Sequence, residues 1–305
     1  MRRTFSDHIE KLAENHDDLI FITGDLGFNA FENLKAKLGN RYINAGVAEQ
    51  SMVSVAAGMA SQGYRVFVYS IAPFLVYRAL EQIRNDVCFH RMPVFLVGNG
   101  GGYGYGIMGS SHHALSDIGV IAGLPDITAF IPAFKEDVAP AVDRIFTESK
   151  PAYLRLGLGK NLKEHSEEFQ DFHRINANPI SEVTIAFTGP VIWNLLEANG
   201  FNDISKYVDI FAVNTIPFKD FSVEFESSLR KTGKLLVFEE HVQQGGLASA
   251  LLTQALKKGI EIKKFNHRYA VNYPENLYGS QSYHQKQSGL DGATIINDII
   301  SFLSK

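Results

Sequence analysis

Short apolar runs recur along this chain, and the stretches between them have helical spacing. Residues 19–23, 66–69, 94–97, 127–131 and 152–156 read as strands, with 41–44 as a further short extended piece. Residues 5–14, 50–61, 74–87, 112–123 and 135–149 read as the helices between them. Apolar strands alternating with helices build a parallel sheet covered on both faces. The pattern stops at Gly157; up to Pro179 the chain is polar, charged and weakly periodic, which predicts a surface linker. It then resumes, with strands expected at 183–187, 209–213, 234–239 and 260–265 and helices at 190–198, 247–257 and 294–303. The expected fold class is α/β in two domains, each a mostly parallel sheet with helices on both faces. The expected boundaries are 1–157, a linker at 158–180, and 181–305. A length of 305 residues suits two such domains.

Composition narrows the partners. Lys plus Arg is 29 against 33 for Asp plus Glu, and no basic run occurs, so nucleic acid is not an expected partner. The one cysteine, Cys88, excludes an intramolecular disulfide and a cysteine-rich zinc site. It fits a reducing, cytoplasmic setting. The N-terminal stretch has early charge without a following apolar segment, so it does not read as a signal peptide. No apolar run approaches the length of a membrane span.

Four segments are candidates for chemistry. In Asn44-Ala45-Gly46-Val47-Ala48-Glu49-Gln50, a carboxylate stands where an extended piece meets an Ala-rich helix. From spacing alone Glu49 reads first as a helix-start carboxylate, favoured by the macrodipole. Gly98 to Gly109 holds seven glycines in twelve residues, which suits either close backbone approach to a ligand or a flexible loop. Its G-x-G-x-x-G spelling is a poor dinucleotide fingerprint, because several residues separate it from the strand and the next strand has no terminal acid. Ser110-Ser111-His112-His113 follows. Adjacent histidines on a helix point about 100° apart, so a shared metal is disfavoured and a single His facing a cleft, or a polar cap, remains. Gly24-Asp25-Leu26-Gly27 reads as a strand-ending turn rather than a magnesium motif. No G-x-S-x-G elbow occurs, and Cys88 reads as a buried small residue.

Taken together, RYINAGVAEQSMVSVAAGMASQGYRVFVYSIAPFLVYRALEQIRNDV, GYGIMGSSHHALSDIGVIAGLPDITAFIPA and PAYLRLG resemble the pyrimidine-binding domain of the transketolase superfamily. That superfamily includes deoxyxylulose-phosphate synthase and the beta subunits of 2-oxo acid dehydrogenases. LLVFEEHVQQGGLASALLTQAL resembles the start of its C-terminal domain. YSIAPF, LEQIRNDV and SSHHALSD look most like the C-terminal section of a split transketolase.

The resemblance implies a thiamine-diphosphate-dependent enzyme. A separate chain would supply the diphosphate-binding half and hold Mg²⁺, or Ca²⁺, in a heterotetramer of two plus two. Glu49 matches the glutamate that faces N1′ of the cofactor's aminopyrimidine. An aromatic stacks on that ring in the family. One such position falls on Ala72, so Phe74, then Tyr77, are the expected replacements, although both also suit the core of an amphipathic helix. His112 matches a histidine that reaches the substrate oxygen near C2. His113 falls where relatives usually carry Gln. Arg155 matches an arginine that binds substrate phosphate, and also reads as a strand-end surface arginine. Met108 and Gly100 stand where relatives carry a sugar-binding Asp and His, which puts ordinary pentose phosphates in doubt. The implied activity is transfer of a two-carbon ketol unit between sugars. A decarboxylating enzyme of the superfamily, or a non-catalytic partner chain, are the alternatives.

Overall fold

Two sheets organise the chain, and the computed structural model describes residues 1–162, 168–272 and 278–303. The first half runs α1 (Arg2–Asn15), β1 (Leu19–Thr23), α2 (Glu32–Leu38), β2 (Tyr42–Asn44), α3 (Glu49–Ala60) and β3 (Arg65–Ile71). Wide π-helical turns at Phe74–Arg78 and Ile83–Cys88 flank α4 (Leu80–Gln82). Then come β4 (Val94–Asn99), α5 (Asp117–Ala122), β5 (Thr128–Phe130), α6 (Val138–Glu148) and β6 (Ala152–Leu156). The second half runs β7 (Phe172–Asn176), β8 (Val183–Thr188), α7 (Trp193–Leu196), α8 (Phe201–Ile204), β9 (Val208–Val213) and β10 (Thr215–Ile216). It ends with α9 (Val223–Thr232), β11 (Lys234–Glu239), α10 (Leu247–Lys257), β12 (Lys264–Arg268), α11 (Gln281–Gln287) and α12 (Gly292–Leu303).

The seven-stranded sheet has the order β10-β5-β6-β4-β3-β1-β2, parallel except where β10 meets β5. The five-stranded sheet has the order β12-β11-β8-β9-β7, parallel except where β7 meets β9. This is the doubly covered α/β architecture expected from the alternation. β1 and β6 are buried along their whole length, as strands covered on both faces must be. Phe5, Phe21, Phe67 and Phe95 pack on one face of the first sheet, and Met52, Val68 and Leu96 on the other. Each such side chain contributes about 1.5–3 kcal/mol by leaving water. The second of these cores continues into Val237 of β11 and Leu251 of α10, so the two units share apolar packing.

Several expectations are corrected. The stretch read as a linker carries β7, which extends the second sheet. β10 returns from the second unit to the edge of the first, a pairing too short to show in the sequence pattern. The last strand lies at Lys264–Arg268, because Ile260 is buried in the preceding turn rather than paired. The segment expected as one helix at 74–87 is mostly π-helical, a geometry that widens the turn and recurs at functional sites. Residues 112–123 are not one helix either: a short turn ends at His112 and α5 begins at Asp117.

Candidate functional site

In open α/β sheets, ligands bind beyond the carboxyl ends of the strands. Here that edge is built by the ends of β1 to β4. Asn44 ties two of them together: its Oδ1 accepts the backbone N–H of Asp25 at 3.1 Å and of Gly46 at 3.0 Å, and its Nδ2 donates to Asp25 Oδ1 at 2.9 Å. The Asp25 turn is therefore structural, as its sequence suggested. Gly46 takes φ +70°, and the chain enters α3 three residues later, with Glu49 as the first helical residue.

Glu49 is 1% exposed. Its Oε1 accepts from Ser70 Oγ at 2.9 Å, and its Oε2 accepts from Arg78 Nη1 at 2.6 Å. Ser70 belongs to β3 and Arg78 to the first π-helical stretch, so the widened turn brings a cation to the carboxylate. The Arg78 guanidinium also lies over the Phe74 ring, 4.7 Å from its centroid. Phe74 in turn meets the His112 ring at 5.0 Å, edge to face, and Tyr105 flanks His112 at 6.0 Å. Ser111 Oγ lies 3.0 Å from His112 Nδ1, which fixes the ring. Glu49, Arg78, Phe74 and His112 thus form one continuous row.

The other expected residues are placed differently. Tyr77 turns its hydroxyl to Ser116, taking the Ser116 N–H at 2.9 Å and meeting its Oγ at 3.0 Å. It anchors the start of α5, and burial pushes its phenol pKa up. His113 is 3% exposed and points away from His112, because the turn ends there and extended backbone alternates side-chain directions. Its Nε2 donates to Gly106 O at 2.7 Å, and its ring packs edge-on against Tyr103 and His284. Burial holds the His113 imidazole below its ordinary pKa, against the opposing Gly106 hydrogen bond. The substrate-contact expectation for His113 therefore does not fit its position.

Arg155 is the larger correction. It is 4% exposed, its Nε donates to Asp117 Oδ2 at 2.8 Å, and its Nη2 donates to Ala114 O at 2.8 Å and Glu240 O at 3.1 Å. Tyr153 completes the group by donating to the same Asp117 oxygen at 2.7 Å. Burial opposes the charge, but the adjacent Asp117 carboxylate outweighs it and holds the guanidinium firmly protonated. This is a buried strut, not an arginine presented to an anion.

Ser70, Arg78 and Tyr105 were not singled out from the sequence. A serine ending a strand and an arginine in an amphipathic segment carry no signal until the fold sets them beside Glu49. Tyr105 lies against Gly100 and takes a hydrogen bond from Asn99 Nδ2 at 2.8 Å, so a tyrosine fills the space over that glycine. Among the described residues, no group of three or more His, Cys, Asp or Glu side chains is disposed to hold a metal ion. What the row fits is a flat heterocycle: one buried carboxylate for a ring nitrogen, an aromatic face beside it, and an imidazole beyond.

Comparison with known proteins places the chain among its relatives. Residues 1–161 match the transketolase pyrimidine-binding domain. The chain is 25% identical over 311 residues to one of the subunits of the apulose-4-phosphate transketolase of Phocaeicola vulgatus, covering 100% of this chain and 97% of that protein. It is 27% identical over 312 residues to 1-deoxy-D-xylulose-5-phosphate synthase of Clostridium perfringens, covering 98% of this chain but 49% of that protein. A solved structure of a split gene transketolase, an inactive beta4 tetramer, superposes with a TM-score of 0.81 at 22% identity, over 99% of this chain and 97% of that one.

Proposed function

The chain belongs to the family of the transketolase pyrimidine-binding domain, and from that premise we propose that it is the pyrimidine-binding subunit of a two-chain, thiamine-diphosphate-dependent transketolase. It transfers a two-carbon ketol unit between sugars or sugar phosphates. The observation that carries this is the buried Glu49 carboxylate, held by two side chains and followed by an aromatic ring and an imidazole.

When bound, thiamine diphosphate supplies the nucleophilic carbon that takes up and hands on the two-carbon unit. This chain's residues do the rest of the work on its side. Glu49 shares a proton with the ring nitrogen N1′ and so sets which tautomer of the aminopyrimidine is held. Ser70 and Arg78 fix the carboxylate. Phe74 offers its ring to the heterocycle. His112, steadied by Ser111 and bracketed by Phe74 and Tyr105, donates to the substrate oxygen as charge develops there.

A partner chain holds the diphosphate and its Mg²⁺ or Ca²⁺, and two copies of each form the assembly. The Phocaeicola relative is one subunit of its transketolase, which supports a separate partner, and the inactive beta4 tetramer of the structural relative supports inactivity of such a chain alone. The single buried cysteine supports a cytoplasmic setting, and no helix among the described residues is long and apolar enough to cross a membrane. We keep 1–157 and 181–305 as the two domains, with β7 joined to the second.

The test is an assay of the complete two-chain enzyme. Transfer of the ketol unit from a ketose donor to an aldose acceptor, with release of the shortened aldose and without CO₂ release, is expected. CO₂ release from a 2-oxo acid would move the chain to the decarboxylating branch, which the synthase relative represents. Absence of any turnover would mark a non-catalytic chain.

A further inference from the structure

Among the described residues, none beyond 181 enters the row around Glu49, yet the loop that presents His112 is fastened to that half of the molecule. The contact is tightest at Gly102, whose φ is +64° and where a Cβ would stand 2.1 Å from Glu240 Oε2. At Gly106 a Cβ would meet the Gln281 backbone nitrogen at 2.7 Å. The loop's lack of side chains therefore serves its seating on the second unit as well as any approach to a ligand.

Glu240, just past β11, is the joint. It is 6% exposed, and burial raises its carboxyl pKa against the donors that surround it. Gln285 Nε2 donates to its Oε1 at 2.9 Å, and Gln281 Nε2 lies 3.2 Å from Oε1 and 3.1 Å from Oε2. The Tyr103 backbone N–H also faces the carboxylate and favours its charged form. Glu240's own carbonyl accepts from Arg155 Nη2, the same nitrogen that binds Ala114 O. One residue thus packs against the loop ahead of His112 at Gly102 and holds it behind through Arg155. A buried carboxylate is costly unless its acceptor sites are filled, and here they are filled by α11 and the loop. The chemistry assigned to Glu49 and His112 makes no use of it.

We propose that Glu240 is a positioning residue: braced by Gln281 and Gln285, it holds the Gly98–His113 loop in the pose that aims His112 at the substrate. The second unit thereby acts on the reaction through geometry. The inference rests on His112 being the substrate-contacting residue.

Two measurements decide it. In the full-length chain, Glu240→Ala should speed amide hydrogen exchange across residues 98–116 by roughly tenfold, the factor carried by about one hydrogen bond to a charged group, while the β1 and β3 amides stay protected. In the complete enzyme it should lower kcat by about 10- to 100-fold with cofactor affinity unchanged. On a His112→Ala background that kcat loss should vanish, because the two residues act as one unit. Unchanged loop exchange would overturn the proposal. So would a kcat loss that persists in full without His112. If Glu240→Ala does not fold, Glu240→Gln gives the same readings, since its amide sets an N–H against the Gln donors. Should His112→Ala keep the parent turnover, the role given to His112 fails and the aiming with it, whereas loop exchange still shows whether Glu240 holds the loop.

Discussion

Two buried glutamates stand at the carboxyl edges of the two sheets, and they have opposite fates. Glu239 ends β11 and is 0% exposed; its oxygens accept the N–H groups of Leu247 at 2.7 Å and Ala248 at 3.0 Å, and His267 Nε2 lies 2.8 Å from Oε1. It caps α10, and its acceptors are filled by groups that the fold locks in place. Glu49 begins α3 and is nearly as buried, but its hydrogen bonds among the described residues come from two side chains, one of them on an arginine whose side chain is 43% exposed. The first carboxylate is closed; the second has a wall that can admit a ligand. Burial alone does not make a site. What surrounds the buried group, and whether that surrounding can exchange partners, decides between structure and chemistry.

This contrast can be broken by experiment. Its largest expected effect is on Glu49→Gln, which should lower kcat of the complete enzyme by roughly 10²–10⁴-fold, the range for a lost proton-transfer group. Its urea-melt stability should fall by less than about 1.5 kcal/mol, because the Arg78 side chain is 43% exposed and can turn to water once the ion pair is lost. Glu239→Gln should do the reverse. Chemical denaturation should show a loss of about 1.5–3 kcal/mol, from the weakened charged cap, with kcat per folded enzyme unchanged. A kcat collapse in Glu239→Gln with full stability would erase the distinction.

Arg78→Ala sharpens the contrast from the open side. It removes one charge-assisted bond to Glu49 and the cation over Phe74, so kcat should fall roughly tenfold while the melting temperature drops by only a few degrees. Arg78→Lys should recover part of that activity in the same assay. A large drop in stability would show Arg78 to be a core strut like Arg155.

The smallest effect belongs to the closed side. Burial holds the His113 and His284 imidazoles below their ordinary pKa, so folding disfavours their protonation. Below the unfolded value of about 6.5 the unfolded chain takes up protons that the folded chain refuses, and stability falls with falling pH. Above that pH the contribution is complete. Denaturation between pH 8 and pH 5 should show this decline, and His284→Phe, which keeps a ring against Tyr103, should flatten it.

Much of the fold was legible because its strands are apolar and bounded by polar turns: 19–23, 152–156 and 234–239 match the observed strands end to end. β7 leaves little trace in the sequence pattern because Phe172–Asn176 is an edge strand, half polar and paired on one side only. Glu49, Phe74 and His112 could be named from the family resemblance, and the fold does bring them together. Arg155 and His113 could not be judged from the chain alone. Their types suit substrate contact, but Asp117 and Gly106 O, remote in sequence or across a turn, claim them first. Ser70 and Arg78 were invisible for the converse reason, since their role comes only from nearness to Glu49.

The central claim is that Glu49 governs a proton on a heterocycle enclosed between this chain and its partner. Proton NMR of the C2–H of thiamine diphosphate exchanging in D₂O, in the presence of both chains, tests it most directly. The parent enzyme should exchange that hydrogen far faster than free cofactor does, and Glu49→Gln should return it to the free rate. Fast exchange in Glu49→Gln, equal to the parent, would contradict the account.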